Sequence, residues 1–249
     1  MKRWIRVIFK VIRYGIPFVF YVFFTYPFRN KISRIKRFRK LQYFLRGLHN
    51  DLDVEIRVTG LENLPNEQSF LVVPNHQSML DGAVMFEIMD DPVAFISKYE
   101  ASKIPVAKHI LATMGSIFMD RNDLKAELKV MRQVRESMLT QNIKWIIYPE
   151  GTRTKDPNFK LNEFKAGVFK FPMQIKKKIV PCAMFGSTRI VNGKCDYKKY
   201  PVYVHFFKPL TYDDYKGMST QEVASKCQNM IQEKLNEFIE MDKNIIQIR

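Results

Sequence analysis

The stretch SFLVVPNHQSMLDGAV, residues 69–84, runs from a short apolar segment through a polar turn into the start of a helix. An apolar run without alternation reads as a strand buried on both faces, the kind that parallel sheets contain. Pro74 pushes Val73 towards extended geometry, and Asn75 and Ser78 are turn or cap formers, so the strand is predicted to break there. A helix is predicted from about Asp81 to Ile88. Strand, turn and helix in that order are the repeating unit of an α/β sheet.

The unit recurs on both sides. Upstream, DVEIRVTG alternates Val54, Ile56 and Val58 as an edge or half-buried strand. Downstream come a strand VAFIS (93–97), a helix near 105–113, a strand SIFMD (116–120) and an amphipathic helix over 122–140 carrying Leu124, Leu128, Met131, Val134 and Met138. That helix feeds IKWIIYP (143–149), the strongest buried-strand signal in the chain. A helix over 164–173, strands KIVPCAM (178–184) and VYVHFF (202–207), and a last helix with Val223, Cys227, Met230, Ile231, Leu235 and Phe238 complete the series. NGKCDYKKYP (192–201) is expected to be an exposed loop. No internal repeat or long Gly/Ser linker divides the body. The expectation is an α/β fold, a central, mostly parallel sheet flanked by helices over residues 51–249, preceded by a distinct segment 1–50.

The formal charge of +16 on 249 residues points to an anionic partner, and its distribution is uneven. Residues 1–50 hold thirteen Lys and Arg and no Asp or Glu, whereas the remainder carries 28 bases against 25 acids. In this arm Arg3, Arg6, Lys10 and Arg13 recur at helical spacing opposite Trp4, Val7, Ile8, Val11 and Ile12. Phe28, Ile32, Ile35, Phe38, Leu41 and Leu45 repeat the pattern with bases on the other side. The fifteen uncharged residues between, YGIPFVFYVFFTYPF (14–28), are interrupted by Gly15, Pro17 and Pro27. As a helix they would span about 22 Å, short of the ~30 Å hydrocarbon core, so they are expected to dip into a bilayer rather than cross it. No small-residue cleavage site follows, which argues against a secretory leader.

Two readings of the arm stand: an amphipathic, membrane-docking helical arm on an anionic phospholipid surface, or a helical pair packed on the core with a solvated basic face. The aromatics argue against nucleic acid, because Phe18, Tyr21, Phe23, Phe24, Tyr26 and Phe28 cluster instead of standing apart as base-stacking residues. Cys182, Cys195 and Cys227 have neither disulfide-framework nor zinc-ligand spacing, and His49, His76, His109 and His205 are scattered. No metal is therefore expected, and a reducing, cytosol-facing location fits the cysteines.

His76 and Asp81 stand five positions apart, about 140° from one another at ~100° per residue, so they can meet only if the chain turns between them. An aspartate in the first turn of the following helix could bind one ring nitrogen, fix the tautomer and leave the other nitrogen to accept a proton. The same spacing also suits a plain capping arrangement. YPEGTR (148–153) follows the strongest strand and so belongs at that strand's carboxyl end, where open α/β sheets place ligands. Gly151 allows close backbone approach to an anion, Thr152 offers a hydroxyl, Arg153 a planar fork suited to phosphate, and Glu150 an acceptor that could orient Arg153 or another base, or bind a substrate hydroxyl. An ordinary turn with a surface ion pair is the other reading of this segment. GSIFMDR (115–121) brings Asp120 and Arg121 to a further strand end.

In order and interval, NHQSMLD (75–81), GSIFMDR, YPEGTR and IVPCAMFGSTR (179–189) resemble the motifs of the glycerolipid acyltransferase family, over roughly residues 50–210. Asn75, His76 and Asp81 match the first motif, Gly115, Asp120 and Arg121 the second, Pro149 to Arg153 the third, and Val180 with Pro181 the fourth. Tyr148 stands where phenylalanine is commonest, and Ala107 and Lys108 where an aromatic residue or glycine is usual. The resemblance implies transfer of a fatty acyl group from an acyl-CoA or acyl carrier protein thioester, with no other cofactor, to the free hydroxyl of 1-acylglycerol-3-phosphate. The product would be phosphatidic acid for phospholipid biosynthesis.

In that scheme His76 is the general base, Asp81 supports it, and Arg121, Glu150, Gly151, Thr152 and Arg153 hold the phosphate of lysophosphatidic acid. Ser78 is a turn former rather than a nucleophile, and N–H groups at the helix start are candidate oxyanion donors. Lys98, Lys103 and Lys108 are either phosphate or coenzyme A contacts or solvated surface. The basic, aromatic arm resembles the membrane-docking segment of bacterial members, which implies a peripheral or monotopic place on the cytoplasmic face of a bacterial cell membrane. Glycerol-3-phosphate or another lysophospholipid is the alternative acceptor. A non-catalytic membrane- or nucleic-acid-binding protein is the alternative of a different class.

Overall fold

The structure, a computed structural model, describes residues 2–247 other than 68, 121, 122 and 193–198. Arg121, Cys195 and most of the loop expected at 192–201 thus lie outside the described residues. In chain order the elements are α1 (Lys2–Thr25), α2 (Arg34–Asp51), β1 (Val54–Thr59), β2 (Leu71–Pro74), α3 (Asp81–Ile88), β3 (Val93–Lys98), α4 (Pro105–Thr113), β4 (Ile117–Met119) and α5 (Leu124–Thr140). There follow β5 (Lys144–Ile146), α6 (Gly167–Gln174), β6 (Ile179–Phe185), α7 (Thr188–Asn192), β7 (Tyr200–Phe206), α8 (Tyr212–Tyr215) and α9 (Thr220–Gln247).

The strands form one seven-stranded sheet in the order β1-β7-β6-β2-β5-β3-β4. Neighbours are parallel except β6 and β7, so the sheet is mostly parallel with one reversal, as expected. Successive residues of a strand face opposite sides, and here both sides are apolar. Leu71, Val73 and Trp145 face a core closed by α5, α6 and α9, while Val72, Ile146 and Val180 face one closed by α2 and α3. Helices thus cover both faces of the sheet, and β2 is buried along its whole length.

The arm differs from the expectation in two ways. α1 does not break at Gly15 or Pro17 but continues to Thr25. An interior proline removes one ladder bond, and here Phe18, Tyr21 and Val22 just past the gap are held against α2 and α4, with Phe18 and Tyr21 packed on Phe44, while Tyr14 before it lies against Gly47 of α2. The helix ends just before Pro27, where the preceding residue is steered out of helical geometry. α2 begins only at Arg34, after a turn, and buries Phe38, Leu41 and Leu45 in the core beneath α3. Gln42 Nε2 donates to the carbonyls of Phe86, Glu87 and Met89, supplying partners to the otherwise open carboxyl end of α3, and His49 pairs with Glu87. Among the described residues no helix is long and apolar enough to cross a membrane.

Candidate active site

β2 lies between β6 and β5, and the three run parallel, so the segments that leave their carboxyl ends emerge side by side. Asn75, the first residue past β2, is fully buried and acts as one more rung of the sheet. Its Nδ2 donates to the Met184 carbonyl at 3.0 Å and its Oδ1 accepts from the Met184 N–H at 2.7 Å. The chain turns immediately afterwards, and His76 and Asp81 meet across that turn, Nδ1 to Oδ2, at 2.8 Å.

Asp81 is fully buried, while 20% of the His76 side chain is exposed. Asp81 Oδ2 also accepts the N–H groups of Gln77 at 2.7 Å and Ser78 at 2.9 Å, and Oδ1 accepts the Ser187 hydroxyl at 2.5 Å. Four donors therefore hold a carboxylate that burial alone would penalise. Because an ionised carboxylate only accepts, Nδ1 of His76 carries the proton in this pair and Nε2 keeps its lone pair. The imidazole stacks on the Tyr148 ring with centroids 4.2 Å apart. Burial, then the charge of Asp81, push the Tyr148 hydroxyl well above the usual phenol range. Burial and Asp81 do the same to the Cys182 thiol, which stays protonated and unsuited to nucleophilic attack.

In the third motif, Glu150 and Gly151 do not face a phosphate as expected. Glu150 is buried and faces no open space: Oε1 accepts the His76 N–H at 2.7 Å, and Oε2 accepts the N–H and side-chain amide of Asn162, both at 2.9 Å. The Thr154 N–H donates to the His76 carbonyl at 2.9 Å, so both backbone groups of His76 are gripped by this loop. Burial raises the Glu150 pKa, and the three donors pull in the opposite direction. Gly151 does not present its N–H to an anion, because that group bonds the Tyr148 carbonyl at 3.0 Å. Its φ of +69° is left-handed, and a Cβ there would meet Lys165 Cε at 2.9 Å, so a tight turn against Lys165 is what requires glycine. Thr152 and Arg153 are exposed on the same loop and remain open to a ligand.

Several of the expected oxyanion donors are also occupied. The N–H groups of His76, Gln77, Ser78, Leu80 and Asp81 are bonded to Glu150, Asp81, Asp81, the Ser78 hydroxyl and the Ser78 carbonyl respectively. Ser78 is the turn former that was expected. Of the three lysines, Lys98 pairs with Glu100 at 2.8 Å, Lys103 lies over the Tyr99 ring, and Lys108 is exposed.

Ser187 and Asn162 were not foreseen from the sequence. Ser187 is 106 positions from Asp81, and its only local mark is a small polar residue just past a fully apolar strand. It reaches Asp81 because Gly186 turns at φ +92°, where a Cβ would lie 2.5 Å from the Pro201 carbonyl oxygen. α7 starts at the next residue and is tied to α9 by the Arg189–Asp242 ion pair.

Fold and site together define an α/β protein with a histidine–carboxylate pair at the carboxyl ends of its central strands. The family model described as Acyltransferase matches residues 55–185, just over half of the 249 residues, and the chain belongs to that family. The 1-acyl-sn-glycerol-3-phosphate acyltransferase alpha of Ovis aries is 31% identical over 156 residues, 59% of this chain and 54% of its own length. The 1-acyl-sn-glycerol-3-phosphate acyltransferase of Helicobacter pylori is 35% identical over 124 residues, 50% of this chain and 52% of its own. The chain spans about half the length of the curated relatives it matches. The crystal structure of the 1-acyl-sn-glycerophosphate (LPA) acyltransferase PlsC from Thermotoga maritima shares the fold, with a TM-score of 0.75 over 95% of this chain and 96% of that one at 22% identity.

Proposed function

We propose that this chain transfers a fatty acyl group from an acyl thioester to the free hydroxyl of 1-acylglycerol-3-phosphate, yielding phosphatidic acid. The observation that carries the reading is the His76–Asp81 pair, with Nε2 of His76 left free to accept a proton. The family membership and the names of the relatives from Ovis aries and Helicobacter pylori support the substrate class.

In the reaction, His76 Nε2 takes the proton of the acceptor hydroxyl as the new C–O bond forms at the thioester carbonyl. The C–S bond then breaks, and the thiolate, a good leaving group, receives a proton. Asp81 orients the ring and stabilises the imidazolium that forms. The thioester is already activated, so no acyl-enzyme is required, and the donor is acyl-CoA or acyl carrier protein with no further cofactor. Thr152 and Arg153 are the described candidates for the acceptor phosphate, and Arg121, outside the described residues, is proposed for the same role; Glu150 and Gly151 contribute by holding the loop. Positioning the acceptor near Nε2 converts an encounter at the bilayer into a reactive geometry.

We place the protein peripherally on an anionic membrane. α1 presents Ile16, Phe20, Phe23 and Phe24 as an exposed apolar stripe, the opposite side from Phe18, Tyr21 and Val22, and a cationic arm beside such a stripe suits an interfacial helix. The test is an assay of the purified protein with lysophosphatidic acid, glycerol-3-phosphate and other lysolipids, each with both thioester donors. Lysophosphatidic acid is expected to be the preferred acceptor, and His76→Ala to lower turnover by at least about 10²-fold, the lower end of what a general base contributes. Near-normal turnover in His76→Ala would remove His76 from the mechanism.

A further inference from the structure

Three of the six buried, unpartnered polar side-chain atoms among the described residues lie where α1, α2 and α4 meet: Arg34 Nε, Arg37 Nε and His109 Nδ1. Such atoms normally find partners, so three in one place mark missing chemistry. The surroundings hold cations and no balancing acid. Arg29 lies close enough to act on the charge of Arg37, no Asp or Glu occurs in residues 1–50, and no ion pair joins Arg29, Arg34 or Arg37 among the described residues. Arg34 makes one bond, Nη2 to the Met114 carbonyl at 2.6 Å. Burial and the Arg37 charge push its pKa down to about 10, which marks a cation lacking a counter-charge.

A small apolar pocket lined by Phe18, Val22, Leu41, Ile110 and Met114 adjoins Arg37, its free space of about 20 Å³ enough for about one water molecule. At the rim His109 stacks on Tyr26 with centroids 4.0 Å apart and meets the edge of Phe23, which belongs to the exposed stripe of α1. The junction is not the acceptor site. Met114 and Gly115 immediately precede β4, which runs parallel to β3, β5 and β2, so the junction is at the amino-terminal edge of the sheet and His76 at the carboxyl-terminal edge.

A ligand that fits must be anionic and offer several oxygens to guanidinium forks, and the exposed apolar stripe of α1 alongside suits one whose chains lie in a bilayer. We propose that the α1–α2–α4 junction binds the phosphate of an anionic membrane phospholipid that is not a reactant, held by Arg34 and Arg37 while its acyl chains stay in the bilayer beside the exposed stripe of α1. The proposal rests on the reading that the arm meets a bilayer, and the two are separable: the aromatic stripe drives binding to any bilayer, whereas this site confers preference for anionic lipid.

The experiment is vesicle flotation of the full chain at physiological salt, with phosphatidylcholine alone and with phosphatidylcholine containing a minor fraction of phosphatidylglycerol. Arg34→Gln/Arg37→Gln is compared with Lys31→Gln/Lys36→Gln, which removes the same charge from exposed positions. The arginine pair is expected to lose about tenfold more of the anionic preference than the lysine pair, both retaining binding to phosphatidylcholine. Equal losses overturn the site and leave only diffuse attraction. Arg34→Lys keeps the charge and the fold but not the fork, and full retention of preference by that variant also overturns the proposal. In thermal unfolding, soluble short-chain phosphatidylglycerol is expected to protect the wild-type chain and not the arginine variants. Equal protection by inorganic phosphate overturns the lipid assignment, and a chain that floats with neither vesicle overturns both this site and the membrane reading.

Discussion

Replacing Asn75 by alanine tests how the site is assembled. Asn75 is fully buried and bonds both backbone groups of Met184, at 3.0 Å and 2.7 Å, tying the end of β2 to the end of β6. Alanine removes both bonds and strands a buried N–H and a buried carbonyl, each costing about 1–3 kcal/mol if nothing replaces the partner. Allowing for relaxation and water entry, the expected loss of folding stability is about 3 kcal/mol. The bonds lie between His76 on one segment and Ser187 on the other, so loosening them lets the ring and the Asp81 carboxylate drift. A displacement of ~1 Å costs about 10²-fold in rate, and a smaller drift should lower kcat about 10-fold or more without changing the KM for the acceptor, because Asn75 faces no open space. Asn75→Asp should be worse than alanine at neutral pH, since it turns a carboxylate oxygen towards the Met184 carbonyl. Chemical denaturation and steady-state acyl transfer measure the two effects. Stability within about 0.5 kcal/mol of wild type, or a raised acceptor KM at normal kcat, would refute the reasoning.

Glu150→Gln should change the pH dependence of stability. Burial holds the native Glu150 pKa above its ordinary 4.5, so its contribution is fully present below that value and lost as pH rises through the native one; glutamine does not titrate. Wild-type stability should therefore fall relative to the variant on raising the pH across that range, and a difference that is flat in denaturation midpoints would contradict it. Tyr148→Phe removes a buried hydroxyl without a partner and keeps the ring against His76, so stability should rise by about 1 kcal/mol; a loss would reveal a partner for the hydroxyl. Phe20 and Phe24 are 59% and 69% exposed. Phe20→Ser/Phe24→Ser should lower vesicle partitioning by roughly 100-fold, about 1–2 kcal/mol per ring, with thermal unfolding unchanged; undiminished flotation would show that the stripe does not insert.

The elements most legible in the sequence were those whose residues answer only to local pattern. Asp81–Ile88 and Pro105–Thr113 form helices at the predicted bounds, and SFLVVP and KIVPCAM are central strands because an unbroken apolar run suits a strand covered on both faces. Pro17 misled because a chain-local rule counts the lost ladder bond but not the packing of Tyr14 before it and of Phe18, Tyr21 and Val22 after it, which holds the helix across it. YPEGTR misled at Glu150 and Gly151 in a similar way. Its residue types suit phosphate, but which polar atoms face a ligand depends on what lies opposite, and opposite Glu150 stand His76 and Asn162.

The sequence by itself determined the α/β unit, the turn that separates His76 from Asp81, and the acid-free basic arm, since periodicity, turn chemistry and charge are properties of neighbouring residues. Only the tertiary structure decided that Ser187 completes the shell of Asp81, that the third motif cradles the backbone of His76, and that Arg34 and Arg37 converge on α4 without a counter-charge. Those contacts join residues far apart in the chain, and the strand order β6-β2-β5 and the packing of the arm bring them within hydrogen-bonding distance or leave them without a partner.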